Sequence, residues 1–222
     1  MQLKKGMFKF LKDLDKNNNR EWFAKNKDTY ITHHEAAKAF FQAIRDELDK
    51  TDLIEKHRSY RIYRDVRFSK NKLPYNPRFA GGYVRATAKL RGGYYLQLSP
   101  GNSLFAGGFF SPNSDDTKRI RKEWEFDDSM MRKIMKQKNF KATFGGLQGN
   151  EVKTSPRGFD INHPAIDLIK KKQFYFEKTF TDKEVFSADF FDETMHAFKT
   201  IRPWFNYMSD ILTTNLNGES VL

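Results

Sequence analysis

The chain has 222 residues and a net charge of +12, with 38% apolar and 31% charged residues. The apolar share is low, but aromatic residues make up 15% and include 22 Phe, and their large rings can bury enough surface to compensate for the few aliphatic side chains. We therefore expect a folded chain with a phenylalanine-rich core. The absence of cysteine excludes disulfides, thiolate catalysis, iron–sulfur clusters and cysteine zinc sites.

The N-terminus and the hydropathy give a first expectation of location. Residues 1–6 lead into an amphipathic pattern and not into the apolar run of a signal peptide. No stretch approaches the ~18 consecutive apolar residues that a membrane helix needs. We therefore expect a cytoplasmic protein that does not have a membrane as its partner.

The N-terminal part of the chain has the pattern of helices. Apolar residues recur at helical spacing over residues 7–14, and three asparagines then end this first helix. The last of them, Asn19, suits the N-cap of a longer helix with an apolar stripe over 23–48. We expect a break in that helix near residues 29–32.

The middle of the chain changes to the pattern of strands. Apolar residues at even positions alternate with mostly charged residues at odd positions over 61–69, and this period of two predicts a strand. A loop with two prolines follows, and later Gly-rich turns separate the next segments. The further predicted strands are 79–90, 94–99 and 104–110.

The C-terminal half is predicted to be mainly helical, with one more strand over 173–180. Residues 181–184 have the sequence of a capping box. Helix-start signals predict helices over 117–125, 129–136, 164–171 and 188–199, and from Pro203 to about residue 217. The expected fold class is therefore α+β, with a central antiparallel sheet flanked by N- and C-terminal helices. Because there are no repeats and no clear linker, we expect a single domain over 1–222.

Most of the excess charge lies in one segment, residues 56–91. This segment contains eleven Lys or Arg residues and a single acid, Asp65, so it carries +10 of the net +12. A charge distribution this uneven favours an anionic partner such as phosphate, carboxylate or a nucleic-acid backbone. The alternative is a basic face that only contacts solvent.

The predicted strand over 61–69 gives the charges in this segment a geometry. Its even face is apolar apart from Arg64, which must then find a partner among apolar neighbours. Its odd face places Asp65 between Arg61 and Arg67, because alternate residues on one face lie ~7 Å apart. The three charges form either an ion-pair ladder that neutralises itself or a clamp for an anion, with Asp65 orienting the arginines.

The loop after this strand brings donors of several kinds. It offers a hydroxyl, two ammonium groups and a phenol, which suit the closure of a loop over an anion, although a plain basic turn is the alternative. Two basic residues of the N-terminal helices can extend such a pocket. The residues concerned are Ser69, Lys70, Lys72 and Tyr75 in the loop, and Arg20 and Lys27 in the helices.

Residues 61–75, which read RIYRDVRFSKNKLPY, resemble the most distinctive stretch of the uncharacterised bacterial and fungal domain-of-unknown-function family 2461. The resemblance extends over roughly residues 8–203. Its further matches include the asparagine-rich stretch near 17–27 and the Pro-Arg-Gly-Phe run at 156–159. It implies no established activity. In this sequence Asn71 stands where the family often has Asp, and Asn76 where it often has Lys.

From these observations we predict that the chain binds a small anionic ligand; whether it is also an enzyme stays open. Four basic side chains hold the anion, Asp65 orients them, and a hydroxyl and a phenol donate hydrogen bonds. The predicted ligand-binding residues are Arg61, Arg64, Asp65, Arg67, Ser69, Lys72 and Tyr75, extended by Arg20 and Lys27. The candidates for catalysis are His163, as a general base at a helix N-terminus, and Tyr75.

Two alternatives remain open from the sequence. One is nucleic-acid binding by the same basic segment, with Tyr60, Tyr63, Phe68 and Tyr75 as stacking surfaces. The other is a protein-interaction module whose basic face meets an acidic partner. The five histidines show no HExxH or other ligand spacing, so no metal site is expected, and neither a cofactor nor an oligomeric state can be named. Nucleotide-binding glycine loops and the G-x-S-x-G elbow are absent from the sequence.

Overall fold

The structure is a computed structural model that describes residues 2–222, so the part of the N-terminal prediction that concerns Met1 lies outside the described residues. Helices occupy both ends of the chain. They are α1 Gly6–Lys16, α2 Arg20–Lys25, α3 Lys27–Leu48, α4 Ser114–Phe126, α5 Ser129–Lys136, α6 Lys138–Phe144, α7 Ile166–Ile169, α8 Asp182–Val185, α9 Phe190–Thr200 and α10 Arg202–Thr213.

Five strands form one antiparallel sheet with the spatial order β1-β2-β3-β4-β5. The strands are β1 Ile54–Ser59, β2 Phe79–Arg85, β3 Gly93–Leu98, β4 Ser103–Phe109 and β5 Phe174–Phe180. The predicted α+β class with a central antiparallel sheet flanked by helices is confirmed. None of the helices within residues 2–222 combines the length and the apolar character needed to cross a membrane.

Local capping signals fix two helix starts at the predicted residues, Asn19 and Thr181. The Asn19 side chain accepts a hydrogen bond from the Trp22 amide at 2.9 Å and so begins α2. Thr181 and Glu184 form the predicted capping box at the start of α8. The predicted break near residues 29–32 is wrong, because the interruption between α2 and α3 lies at Asn26.

The prediction of a strand over 61–69 is wrong, and the strand that was not predicted is β1, directly before it. Tyr63 forms an isolated antiparallel bridge with Tyr75, but the ladder does not extend. Pro74 and Pro77 flank that bridge residue and have no amide hydrogen to donate, so a continuous ladder cannot form there. The Asp65 side chain then accepts a hydrogen bond from the Arg67 amide at 3.2 Å, and the chain turns.

The chain divides into two compact units. The first comprises the residues up to Tyr83 together with Tyr95–Phe105 and Thr179–Met195, and the second comprises Val84–Tyr94, Ala106–Lys178 and His196–Leu222. A single domain over 1–222 stays a prediction.

Each unit has an aromatic core of its own, as the phenylalanine content predicts. In the first unit, the ring of Phe190 stacks on Phe40 with centroids 5.5 Å apart and meets Phe180 edge to face at 5.1 Å. In the second unit, Trp204 is fully buried and meets Phe176 edge to face at 5.0 Å. Such pairs add to the hydrophobic burial of the rings themselves.

Candidate anion-binding site

A small cavity lies in the first unit, beside the start of β2. Its volume is about 180 Å³, and no acid is among the residues that line it. The lining residues are Tyr60, Arg61, Tyr63, Asn76, Arg78 and Ala80. Two arginines, two tyrosines and an asparagine amide therefore surround one space.

Backbone hydrogen bonds hold the two segments that form the cavity. The Tyr60 amide donates to the Ala80 carbonyl at 2.8 Å, and the Asn76 amide donates to the Ile62 carbonyl at 2.7 Å. Farther along, the Arg64 amide donates to the carbonyl of Pro74 at 2.8 Å. The bonds at 62–76 and 64–74 share the register of the Tyr63–Tyr75 bridge, and this register is offset by two residues from the bond between Tyr60 and Ala80. The residues that line the cavity lie on both sides of this offset.

Arg78 is held in place by a buried amide. Its Nη1 donates to Oε1 of Gln97 at 3.0 Å, and Gln97 is only 5% exposed. The Tyr95 hydroxyl donates to the same oxygen at 3.0 Å, and the Gln97 Nε2 donates to the Asn102 carbonyl at 2.8 Å. The guanidinium is therefore oriented by a neutral partner, and its full positive charge stays available for a ligand.

Arg61 has no ion pair or hydrogen bond with the residues that the structure describes. Its charge still contributes to the lowering of the Asp65 pKa, although the hydrogen bonds from Arg67 are the larger cause. The lining of the cavity thus includes two arginines, Arg61 and Arg78, and no carboxylate residue.

The far side of Tyr63 rests on an aromatic cluster formed by α2, α3 and the loop before β2. The Tyr63 ring lies 5.6 Å from Phe23 and 5.4 Å from Tyr75, and Tyr75 stacks on Phe23 at 4.1 Å. The Asn18 side chain fixes the Tyr75 backbone, donating to its carbonyl at 3.0 Å and accepting from its amide at 3.1 Å.

Burial raises the pKa of two phenols in this cluster. The pKa of Tyr30 rises to about 12, mainly because the side chain is desolvated, with Tyr63 and Glu35 as smaller causes. The pKa of Tyr75 is also raised by desolvation and by Tyr63, while the positive charge of Arg20 acts in the opposite direction. A phenol with a raised pKa is a poor base at neutral pH, so nothing here favours Tyr75 as a catalytic base.

The structure separates the predicted anion clamp. Arg67 pairs with Asp65 instead of lining the cavity: its Nη2 lies 2.6 Å from Oδ2, and its Nε lies 3.0 Å from Oδ1. This exposed pair corresponds to the self-neutralising alternative, without Arg61 as a direct partner. Arg64 is half-buried, and its nearest polar partner is the Ser69 hydroxyl at 3.5 Å.

The remaining predicted residues stabilise the loop or lie on the surface. The Lys72 ammonium donates to the Val66 carbonyl at 3.0 Å and to the Arg67 carbonyl at 3.4 Å, so it fastens the loop to itself. Arg20 and Lys27 are exposed, in the first turns of α2 and α3. The prediction that the even positions all face the core is wrong at Phe68, which is 96% exposed.

His163 belongs to the second unit. Its Nδ1 accepts a hydrogen bond from the Ala165 amide at 3.1 Å. The His163 carbonyl also accepts a hydrogen bond from the Ile166 amide at 2.9 Å, so His163 stabilises the start of α7. In the described part of the chain, no group of three or more His, Cys, Asp or Glu side chains is arranged to hold a metal ion.

A family model described as "Conserved hypothetical protein (DUF2461)" matches residues 6–207. The chain belongs to this family. Its members carry no named activity in that description, so membership supports the fold-wide resemblance without assigning a reaction. No curated protein and no solved structure matches the chain.

Arg61 is among the ligand-binding residues predicted from the sequence, whereas Arg78, the other arginine in the lining of the cavity, is not. Both lie in the basic segment 56–91, but they are separated by 17 positions, and only the pairing of the segment after β1 with the segment before β2 brings them together. The one local signal was Pro77, which precedes Arg78 and ends the loop before the strand.

Proposed function

We propose that this protein binds a small anionic ligand, carrying a phosphate or carboxylate group, in the cavity lined by Arg61 and Arg78. The observation that carries the proposal is the presence of two arginines without a carboxylate partner around one space of about 180 Å³. A planar guanidinium fork matches the oxygens of phosphate and carboxylate. The cytoplasmic location expected from the sequence is part of the same proposal.

The volume of the cavity limits the ligand. Pockets for drug-sized molecules have volumes of roughly 300–1,000 Å³. A space of about 180 Å³ is smaller and suits a single anionic head group. The phenols of Tyr60 and Tyr63 and the amide of Asn76 add neutral hydrogen-bonding groups, which give a preference for one geometry of the anion over another.

Removing either arginine is expected to weaken the binding of a small anion. Inorganic phosphate and citrate are suitable probes, measured by titration calorimetry and by thermal shift, since a ligand of the native state raises the melting temperature. Arg61→Gln and Arg78→Gln should each lower the affinity by roughly tenfold or more, because a hydrogen bond to a charged group contributes about 1.5–3 kcal/mol.

Lys70→Gln is the matched control for this experiment. Lys70 is exposed, lies in the same basic segment and does not line the cavity, yet its substitution removes the same charge. If Lys70→Gln weakens binding as much as Arg61→Gln does, the effect is one of net charge, and the proposed site is wrong.

One observation favours nucleic-acid binding as a second candidate function. Phe68 is 96% exposed at the tip of the loop, and the Arg67 guanidinium lies 5.9 Å from its ring centroid. Tyr60 and Tyr63 are partly exposed near the same basic segment. Tyr75 cannot act as a stacking surface in this arrangement, because its ring is stacked on Phe23 and only 5% exposed.

If this second candidate is right, Phe68→Ala will weaken the binding of single-stranded oligo-dT by about tenfold, since a base stacked on an aromatic ring contributes ~1–3 kcal/mol. Fluorescence anisotropy over a series of salt concentrations should also show a steep fall of affinity with salt. Phe126→Ala is the control, because Phe126 is 80% exposed beside two aspartates and not beside the basic segment. A flat salt dependence removes this candidate.

A further inference from the structure

A second basic face lies on α4, in the other unit. Ser114, Lys118, Arg121 and Lys122 are spaced i, i+4, i+7 and i+8, so they share one side of the helix. The core-facing side carries the buried residues of the helix, Ile120 and Trp124. The basic side chains are thus displayed together because the helix packs by its apolar side.

A structured turn faces these side chains across a cavity. The Phe159 amide donates to the Pro156 carbonyl at 3.1 Å, and the Ser155 hydroxyl donates to the Phe159 carbonyl at 2.9 Å. Gly158 adopts φ +85°, a conformation that glycine accommodates at low cost. The Lys122 ammonium lies 4.8 Å from the centroid of the Phe159 ring, which links the helix to the turn.

The cavity between α4 and this turn is strongly basic. Its volume is about 510 Å³, and its lining includes Lys118, Arg121, Lys122 and Arg157 but no acid. Lys122 is paired with Glu125 at 2.5 Å. Lys118 and Arg157 are exposed and form no ion pair or hydrogen bond with other residues in the described range 2–222.

Arg121 is the residue whose environment calls for an anion. It is half-buried, and its Nη2 donates to the Lys171 carbonyl at 2.8 Å. Its Nε is buried and has no hydrogen-bond partner among the described residues, and no carboxylate pairs with the guanidinium. Burial lowers the pKa of this group, as expected for a cation removed from water without a counter-charge. A guanidinium in this state is costly, and a bound anion offsets the cost.

We infer that the cavity between α4 and residues 156–159 is a second anion site, for a small molecule that carries phosphate groups. Its volume falls within the roughly 300–1,000 Å³ of ordinary ligand pockets, so it accommodates more than one phosphate or a phosphate with its organic group. The inference goes beyond the proposed function, because no residue is shared between the two cavities.

Inorganic pyrophosphate is the probe for this site, titrated by calorimetry into the full chain carrying Arg61→Gln and Arg78→Gln. These two substitutions remove both arginines from the lining of the first cavity. The result for the second cavity is therefore independent of whether the proposed function is right. We expect saturable binding of one pyrophosphate per chain. Arg157→Gln and Lys118→Gln, both at exposed positions, should each weaken it by about tenfold or more. Arg121→Gln should do the same, and the two exposed variants keep the test valid if Arg121→Gln fails to fold.

The control is Lys136→Gln, which removes an exposed charge on α5 of the same unit and should leave pyrophosphate binding unchanged. Three results overturn the inference. The first is a lack of saturable pyrophosphate binding. The second is a loss of affinity in the Lys136→Gln variant equal to the loss in the Arg157→Gln and Lys118→Gln variants. The third is displacement of pyrophosphate by oligo-dT at a lower concentration, counted per phosphate group, than pyrophosphate itself needs to bind. The last result would identify a nucleic-acid surface and not a small-molecule site.

Discussion

Gly108→Ala is expected to cost more than about 4 kcal/mol of the free energy of unfolding, a large part of the roughly 5–15 kcal/mol that is usual for a folded protein. A Cβ atom at residue 108 would lie 2.4 Å from the Phe174 carbonyl oxygen and 2.4 Å from the Tyr175 Cβ. Both atoms belong to residues of β5, which pairs with the strand β4 that carries Gly108. Relief therefore requires the strands to move apart, which breaks hydrogen bonds of the ladder.

The loss is measured by urea unfolding followed by circular dichroism, with the midpoint and the slope compared with those of the unchanged chain. Gly146→Ala is the matched control. No atom lies within 4 Å of the Cβ position at Gly146, so this substitution should change the free energy of unfolding by less than about 1 kcal/mol. If Gly108→Ala is as mild as Gly146→Ala, the close approach of β4 and β5 at this position is wrong.

The helix starts at Asn19 and Thr181 were predictable because their signals are local. Asn19 and Thr181 cap helices through atoms only three residues away, and the sequence shows both partners of each bond. The break at Asn26 was misplaced for a related reason. The apolar stripe passes through it unchanged, so the pattern of burial carries no trace of the interruption.

The strand after the first helices was misplaced because alternating apolar and polar residues indicate which side chains are buried. They do not show which segments pair by backbone hydrogen bonds. Ile62 is buried, Arg64 is half-buried and their odd-numbered neighbours are exposed, so the period of two is present without a strand. Edge strand β1, in contrast, reads IEKHRS and is largely polar, as edge strands often are. The sequence therefore favoured the neighbouring segment with the cleaner apolar pattern.

The candidate site could be predicted only in part, because the pairing of its two segments is not visible in the sequence pattern. The charge count located the basic segment, and Arg61 follows from it. The partnership of Arg61 with Arg78 depends on an irregular pairing across the loop with two prolines, which is a tertiary feature. The Arg67–Asp65 pair, although adjacent in the predicted pattern, is satisfied locally and contributes nothing to the lining of the cavity.

Phe23→Ala is expected to cost about 3–5 kcal/mol of the free energy of unfolding, the usual range for a buried phenylalanine. Phe23 is 3% exposed, and its ring contacts three tyrosines: Tyr75 at 4.1 Å, Tyr63 at 5.6 Å and Tyr30 at 5.1 Å. Phe68→Ala is the matched control. It removes the same ring from a 96% exposed position and should change the stability by less than about 0.5 kcal/mol.

The same substitution should also change the anion affinity of the proposed site and the stability at alkaline pH. Phe23 contacts Tyr63, which lines the cavity, and helps to bury Tyr30. The folded pKa of Tyr30 is about 12 against an ordinary value of 10.0, so its contribution to stability is complete below pH 10 and is lost as the pH rises towards 12. In Phe23→Ala, solvent reaches the phenol, its pKa falls towards 10, and an absorbance titration near 295 nm should detect the shift. Phosphate binding should weaken in parallel, since Tyr63 lines the cavity. If Phe23→Ala lowers the stability but leaves both the phenol titration and anion binding unchanged, the aromatic cluster stabilises the fold without supporting the site.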